Sequence, residues 1–312
     1  MILLAGIPTE TPMALVRREL DTLGAPYLVF HQREFDTAEI DFEIAGGALS
    51  GRLRLQGREV PLQDVHAVYN RLMDDQDLPE VRGEPPGSPR RLRCRAVHDT
   101  LVRWCEIAPG RIVNRTAPMG SNGSKPYQAQ LIREQGFLVP ETLVTNDPEL
   151  VLAFRARHGR IVYKSMSAVR SIVQTLEEGD LDRLHLIRWC PTQFQQFVPG
   201  TNVRVHVVGS ELFATAARTE ATDYRYASRQ VGEAADLEAV RLADDLAERC
   251  IALARALGLD FAGVDLKITP DGDVYCFEVN PSPAFSYYEE SSGQPIARAL
   301  ARYLAEAAEM LD

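Results

Sequence analysis

Apolar and polar positions follow two different rhythms along this chain. "MILLAGI" is a short apolar run closed by Pro8 and predicts a buried strand. "TPMALVRRELDTLG" repeats apolar positions at helical spacing and stops at Gly24, which predicts a helix. "PYLVFH" and "VHAVYNRL" are further buried strands, and "IDFEIAGGALSGRLRLQGREVPL" alternates around glycine turns as hairpin strands do. A Pro/Gly loop, "LPEVRGEPPGSPRR", precedes a helix in "LRCRAVHDTLVRWCEIAPG". Strand, helix, strand at the start predicts a small α/β unit.

The second half begins with "SNGSKPYQAQLIREQGF", a helix with Ser124 as N-cap, Pro126 in its first turn and Gly136 after its end. "VPETLVT" is a strand, and "NDPELVLAFRARHG" is a helix capped by Asn146 or Asp147. "RIVYKSMSAVRSIVQTL" reads as two strand runs around a polar turn. "PTQFQQFVPGTNVRVHVVGSELFATAART" reads as three strands. Residues 233–257 predict one long amphipathic helix closed by Gly258. "FAGVDLKITPDGDVYCFEVN" predicts a hairpin, and "GQPIARALARYLAEAAEML" a closing helix. No internal repeat is visible. The fold class is α/β (α+β), with an N-terminal domain at 1–111 and a second domain at 112–312 that includes a small lid at about 140–198.

The hairpin carries the first chemistry. With Thr269–Pro270–Asp271–Gly272 as the reversal, Ile268 faces Asp273 and Asp265 faces Cys276. Side chains alternate, so Asp265, Glu278 and Asn280 share one face, while Val264, Leu266, Phe277 and Val279 take the other. Asp265 and Glu278 become diagonal neighbours roughly 7–8 Å apart. Carboxylates at that spacing repel unless a cation lies between them. Hard oxygen donors in this number suit Mg²⁺ together with phosphate oxygens and water. The alternative is a half-exposed hairpin with scattered acids. Pro281 and Pro283 then end the strand.

Composition narrows the classes. The chain has 312 residues, 45% of them hydrophobic, and a net charge of −10. That length carries two domains and a core, and that charge disfavours nonspecific nucleic-acid binding. Five cysteines, an odd number without a CxxC pair, fit reduced thiols. The N-terminus has no basic segment of a signal peptide, and no apolar run spans a bilayer. These features predict a cytoplasmic protein. The arginines Arg82, Arg90, Arg91, Arg93 and Arg95 read as a solvated helix face, with an acidic partner as the alternative. Trp104 and Trp189 read as core. None of the six histidines has metal-ligand spacing.

A metal of this kind accompanies nucleotide phosphates, so basic groups should stand nearby. There is no P-loop and no GxGxxG. Lys125 stands at a helix start and Lys164 at the end of the apolar strand "IVYKS". Each, alone, reads equally as a surface lysine. Taken in order, Lys125 before "QLIREQGFLVPETLVT", Lys164 in "VYKSMS", "FQQFVPGTNVRVHVVG", "FAGVDLK" and "FEVNPSPAF" resemble the ATP-grasp superfamily. The resemblance is to its RimK-like branch of peptide-modifying ligases and covers about residues 112–312.

That resemblance implies an ATP-grasp fold preceded by an α/β domain. It implies that Asp265, Glu278 and Asn280 hold two Mg²⁺ ions, with Mn²⁺ as a substitute, and that Lys125 and Lys164 contact ATP phosphates. Gln195, Gln196, Phe197 and Val198 would form the hinge against adenine. Asn202 and Arg204 match a polar pair on the next strand, and Arg218 would approach the γ-phosphate or the acyl-phosphate. Two departures stand out. Asn202 occupies a place where such enzymes often show Asp. The loop "SMSAVRSIV" lacks glycine and holds Arg170, so either Ser165, Ser167 and Ser171 stand in for glycines or the loop is stiffer. Asp223 and Arg225 in "TEATDYRYASRQ" resemble a D-x-R element of microviridin-type ligases, where Arg225 would take a substrate carboxylate. Tyr287 and Tyr288 border the same region or pack.

The function so implied is an ATP-dependent carboxylate–amine or carboxylate–hydroxyl ligase working through an acyl-phosphate. Its partners would be a small-molecule or peptide carboxylate and a nucleophile, with no nucleic acid and no membrane, and a homodimer as an open assembly state. A nucleotide-binding sensor or scaffold, and a small-molecule kinase, are the competing classes.

Overall fold

Four sheets carry the strands that the apolar runs predict. The computed structural model describes residues 1–165, 172–219 and 221–307. The loop serines Ser167 and Ser171, with Arg170, lie outside the described residues. The first sheet is parallel, in the order β2 (Tyr27–His31), β1 (Ile2–Gly6), β6 (Ala67–Asn70), β7 (Arg111–Val113). Every residue of β1 is buried, as a parallel strand covered on both faces requires. Because β7 pairs with β6, the chain leaves this sheet after residue 113. Helix α1 (Thr11–Leu23) lays Met13, Val16 and Leu20 on one face, and Gly24 closes it in the left-handed region. Helix α2 (Pro89–Ile107) buries Cys94, Val97, Leu101 and Trp104, and the Ser88 hydroxyl accepts from the Arg91 amide at 3.3 Å. A hairpin sheet of β3 (Glu39–Ala45), β4 (Ala48–Leu55) and β5 (Arg58–Pro61) completes this half.

The arginine cluster spends its charge locally. Arg90 pairs with Asp36 and Arg95 with Asp75, while Arg82, Arg91 and Arg93 donate to the carbonyls of Asp77, Glu84 and Ala38. The solvated-face reading accounts for it without a partner.

The lid sheet is antiparallel, in the order β10 (Gln174–Thr175), β9 (Ile161–Ser165), β11 (Thr192–Gln196), β8 (Thr142–Thr145). Helix α4 (Pro148–His158) packs Val151 and Phe154 on its Ile161 and Phe194 face. The large sheet is also antiparallel: β14 (Asp236–Val240), β13 (Glu211–Arg218), β12 (Thr201–Val208), β15 (Phe261–Ile268), β16 (Val274–Asn280). One face, through Val203, Val205, Val264 and Cys276, packs on α5 (Asp244–Ala256) at Cys250 and Leu253. The other, through Val208, Ala217 and Phe261, packs on α7 (Ile296–Ala305) and on Phe285 and Tyr288, which flank and belong to α6 (Ser286–Ser292).

Three expectations need correction. Residues 233–257 are not one helix: 236–240 form β14 and the helix starts at Asp244. The segment "DLEAV" has helix-forming residues, but pairing on the β13 edge and burial of Leu237 outweigh that preference. Trp189 is 88% exposed, while Trp104 is core as expected. The Ser124 side chain makes no cap bond at α3 (Lys125–Glu134), although Pro126 does sit in its first turn.

The two halves meet at the strand ends that border the loop after β16. Asn114, buried at the end of β7, donates to the carbonyls of Phe261 and Pro281 and accepts from the amides of Asp260 and Phe261. Arg71, beyond β6, chelates Glu10 and donates to Ser282 Oγ and the Pro283 carbonyl. The C-terminal ends of parallel strands, where α/β sheets place ligands, therefore face the loop after β16.

Candidate active site

The hairpin register differs from the expected one in two compensating ways. The reversal takes in Asp273, so Ile268 faces Val274. A β-bulge then falls between Asp265 and Leu266, so Asp265 stands directly opposite Glu278 while Leu266 faces Cys276. Each change shifts the register by one residue, and together they restore the parity. Asp265 and Glu278 thus share a face as expected, but as a direct pair rather than a diagonal one. Cys276 joins the core beside Leu266, and the extra residue Phe277 lines the cleft instead of the core.

Each carboxylate is met by a cation on a different element. Arg204 of β12 is opposite Asp265, and its Nη1 donates to Oδ1 at 2.6 Å. Gly263 makes room for this: a Cβ there would collide with the Arg204 guanidinium. His206, next on that face, offers Nε2 to Arg204 Nε at 3.5 Å. Burial and then Arg204 hold the His206 imidazole well below its ordinary pKa, so it stays neutral and acts as acceptor. Lys125 Nζ lies 2.8 Å from Glu278 Oε2 and 2.6 Å from Asn122 Oδ1. Gln128 docks α3 there, donating to the Val279 carbonyl and accepting from the Val279 amide, which also satisfies the edge of β16. Burial would raise the Glu278 carboxyl, but Lys125 and then Lys164 and Arg204 bring it down to about 2. Burial raises Asp265, against the pull of Arg204 and with the push of Glu278.

The opposite wall is the lid. Cross-strand pairing sets Val162, Lys164, Gln193 and Gln195 on one face, turned to the cleft, with Tyr163 and Phe194 on the other. Lys164 is desolvated, and burial lowers its pKa despite the attraction of Glu278. Gln195 donates to Thr142 Oγ1 at 3.0 Å, and the Phe197 amide donates to the Arg160 carbonyl. The Val198 amide has no hydrogen-bond acceptor among the described residues, which leaves a backbone donor on the cleft wall. The cleft between lid and large sheet holds about 780 Å³. Lys164, Gln195, Gln196, Phe197, Val198, Asn202, Arg225, Asp265 and Glu278 all line it. A second hollow of about 910 Å³ continues from it past Lys164 and Gln195 to Lys125.

The segment after β13 closes the third side. Asp223, 4% exposed, chelates Arg225 through Nε at 2.9 Å and Nη2 at 2.8 Å. The same carboxylate accepts from the Val173 amide, and Gln230 donates to the Val173 carbonyl. Thr222 meets Thr175 at 3.2 Å. The D-x-R element is therefore an internal clasp that ties this segment to the lid, and it positions Arg225 at the cleft. Tyr224 hydrogen-bonds Tyr288 hydroxyl to hydroxyl at 2.7 Å, beneath Arg204. Tyr287 is exposed.

Three expected residues stand apart. Arg218 falls on the opposite face of the sheet from Arg204, because β13 presents Ala217 and Thr215 to the Arg204 side. It pairs with Glu238 at 2.8 Å in the open and lines a separate groove. Ser165 is exposed at the end of β9. Asn280 faces Gly263, and its Oδ1 accepts from the Ser282 amide at 2.9 Å, one pair beyond the cleft. Lys267, Phe277, Val173 and Tyr224 line the cleft without having been expected there. Alternation from Asp265 would have found Lys267. The bulge that turns Phe277 inward leaves no mark in the sequence.

The donor set fits a magnesium–nucleotide complex. Among the described residues no group of three His, Cys, Asp or Glu could hold a metal alone. Two opposed carboxylates beside lysines instead suit an ion that takes its other oxygens from phosphate and water. Also among the described residues, no helix is long and apolar enough to cross a membrane.

Comparison with known proteins agrees. The model of the RimK-like ATP-grasp domain matches residues 144–304, just over half of the chain. A curated relative, a probable alpha-L-glutamate ligase of Histophilus somni, is 28% identical over 183 residues. That match covers 54% of this chain and 58% of the relative, so the chain spans little more than half of its length. The ATP-grasp ligase PsnB, solved with a phosphomimetic variant of its minimal precursor, Mg and ADP, superposes with a TM-score of 0.79. It is 27% identical, with 98% of both chains covered. A RiPP-associated ATP-grasp ligase of Chryseobacterium gregarium, in complex with ADP and a leader and core peptide, shares the fold at a TM-score of 0.81. It is 20% identical, with 98% of this chain and 96% of that one covered. With the model of that domain matched over more than half of its length, this chain belongs to the RimK-like ATP-grasp family.

Proposed function

We propose that the protein is an ATP-dependent ligase that activates a carboxylate as an acyl-phosphate and passes the acyl group to an amine or hydroxyl. The direct Asp265–Glu278 pair, facing a cleft walled by Lys164 and the hinge, is the observation that carries this reading. Bound there with two carboxylates as ligands, Mg²⁺ would neutralise charge on the nucleotide phosphates. In this reading two ions are held, Asp265 and Glu278 supply the first ligands, and Asn280 joins once its amide turns from Ser282. Lys125 exchanges its contact with Glu278 for phosphate oxygens, and the desolvated Lys164 joins it there. The Val198 amide and the aromatic Phe197 and Phe277 receive the base. Arg204, fixed by Asp265 and His206, faces the transferred phosphoryl group. Arg218, paired on the far side of the sheet, takes no part. Such a reaction needs no protein nucleophile: the carboxylate oxygen attacks the γ-phosphorus, ADP leaves, and the second substrate then displaces phosphate.

The substrate side is a peptide in this reading. PsnB was solved with a precursor, and this chain aligns with it nearly end to end. Arg225 would take a substrate carboxylate through the guanidinium edge that Asp223 leaves open. A screen of amino acids, dipeptides and any peptide encoded beside this gene, read by phosphate release and product mass, tests it. Loss of one water per bond from one peptide means cyclisation; addition of a second component less water means intermolecular ligation. Phosphate added to a hydroxyl and retained in the product would overturn the ligase reading.

A further inference from the structure

Arg204 takes its aim from what touches it, because its side chain is only 7% exposed. Asp265 holds Nη1 at 2.6 Å, and His206 meets Nε at 3.5 Å. Both of these contacts lie along the edge of the guanidinium. Its face rests over Tyr288, with the ring centre 5.6 Å from Cζ. The same ring meets His206 edge-on, 5.0 Å between ring centres. Tyr288 of α6 therefore braces both Arg204 and the histidine that orients it.

The brace is itself held from the other side of the cleft. Tyr288 is 6% exposed, and a buried phenol needs a partner for its hydroxyl. That partner is the Tyr224 hydroxyl at 2.7 Å. Tyr224 opens the short helical turn Tyr224–Tyr226 in the segment between β13 and β14, and it lines the cleft beside Arg225. Its neighbours fasten this segment to the lid: Asp223 accepts from the Val173 amide, and Thr222 meets Thr175. One phenol pair thus joins the lid-bound segment to the support under Arg204. Packing alone would call for two rings there, not for two hydroxyls turned toward each other.

We propose that Tyr288 is a positioning residue for Arg204, and that the Tyr224–Tyr288 hydroxyl pair sets the guanidinium where it meets the terminal phosphate of a bound nucleoside triphosphate. The proposal rests on the nucleotide reading of the cleft and adds two residues that this reading does not require. A guanidinium bound to phosphate depends on alignment, so a shift of its support is felt by a nucleotide that has the terminal phosphate and not by one that lacks it. Removing either hydroxyl breaks one and the same bond. The two losses therefore do not add, as for any pair in direct contact.

Titration calorimetry tests it with MgADP and with the magnesium complex of the β,γ-imido analogue of ATP, which carries the terminal phosphate but is not turned over. The proteins are the wild type, Tyr288→Phe, Tyr224→Phe and the double variant, all of which keep both rings. The wild type should bind the imido analogue more tightly than MgADP. Each single variant should lose about three- to tenfold for the imido analogue and little for MgADP. The double variant should lose no more than the larger single loss. Tyr224→Phe decides alone should Tyr288→Phe not melt cooperatively. A lower melting temperature with the preference intact would make the pair packing only and overturn the proposal. Losses that add, losses equal for both nucleotides, or a wild type without a preference would overturn it too, and each leaves the nucleotide cleft standing. A wild type that binds neither nucleotide would overturn the nucleotide reading itself.

Discussion

Asp265 and Glu278 show how differently two carboxylates on one strand pair can be held. Arg204 is almost fully buried behind Asp265, so Asp265→Asn leaves a guanidinium without a counter-charge. Removing one partner of a buried pair costs about 3–5 kcal/mol. Glu278 faces a lysine that is 30% exposed, so Glu278→Gln should cost well under that. Both variants should lose MgATP turnover. Chemical denaturation alongside a turnover assay checks the pair: wild-type turnover in either variant contradicts the ligand assignment. Lys164 sits at the same cleft but pairs with no carboxylate at ion-pair distance among the described residues. Lys164→Ala should therefore weaken ATP binding about ten- to hundredfold with little change in melting temperature. Unchanged nucleotide affinity by calorimetry would remove it from the phosphate site.

The acid limb of the stability curve should report Glu278. Its folded carboxyl titrates at about 2 against an ordinary 4.5, so folding favours its ionised form. That contribution is present above about pH 4.5 and is lost as pH falls toward 2. Asp265, raised by burial, acts in the opposite sense, so the comparison that isolates Glu278 is wild type against Glu278→Gln. The expected result is a shallower loss of melting temperature between pH 5 and 2 in the variant. Parallel curves would show that Lys125 does not hold the carboxylate in solution.

At the scale of elements, most strands and helices were legible because their periodicity is strong. β1 reads as an unbroken apolar run since both of its faces are covered. α7 reads as a helix because Ile296, Leu300 and Leu304 recur at helical spacing, and all three are fully buried against α1 and β12. Leu300→Ala should cost about 2–5 kcal/mol through the cavity it leaves between the two halves of the chain. Urea denaturation followed by tryptophan fluorescence measures it, and a cost below 1 kcal/mol would mean that the helix does not bridge them. Residues 236–240 were misread for the converse reason. Their helix preference is local, whereas the β13 edge that captures them lies outside the window that sets it. Trp189 was misassigned because a large aromatic side chain is usually buried, and only the short helical turn at 184–189 shows that it points outward.

At the scale of the molecule, the cleft was legible in its parts more than in its assembly. Lys164, residues 195–198 and the Asp265–Glu278 pair line one cleft, and the two one-residue register shifts cancel. Arg218 failed because parity along β13 cannot be read without knowing where that strand pairs. Gln128, Gly263 and Asn114 were invisible as site-builders. Their work is to satisfy an edge, to leave room for a guanidinium and to join two sheets, none of which has a local signature. In the reading proposed above, the assembled cleft brings a carboxylate oxygen to a γ-phosphorus between two lysines and a buried arginine. Hydroxylamine trapping tests that claim most directly. With ATP, Mg²⁺ and a carboxylate substrate found by the peptide screen, the enzyme should release ADP and form the hydroxamate in equal amounts, and Glu278→Gln should form neither. ADP release with a stable phosphorylated product and no hydroxamate would contradict carboxylate activation.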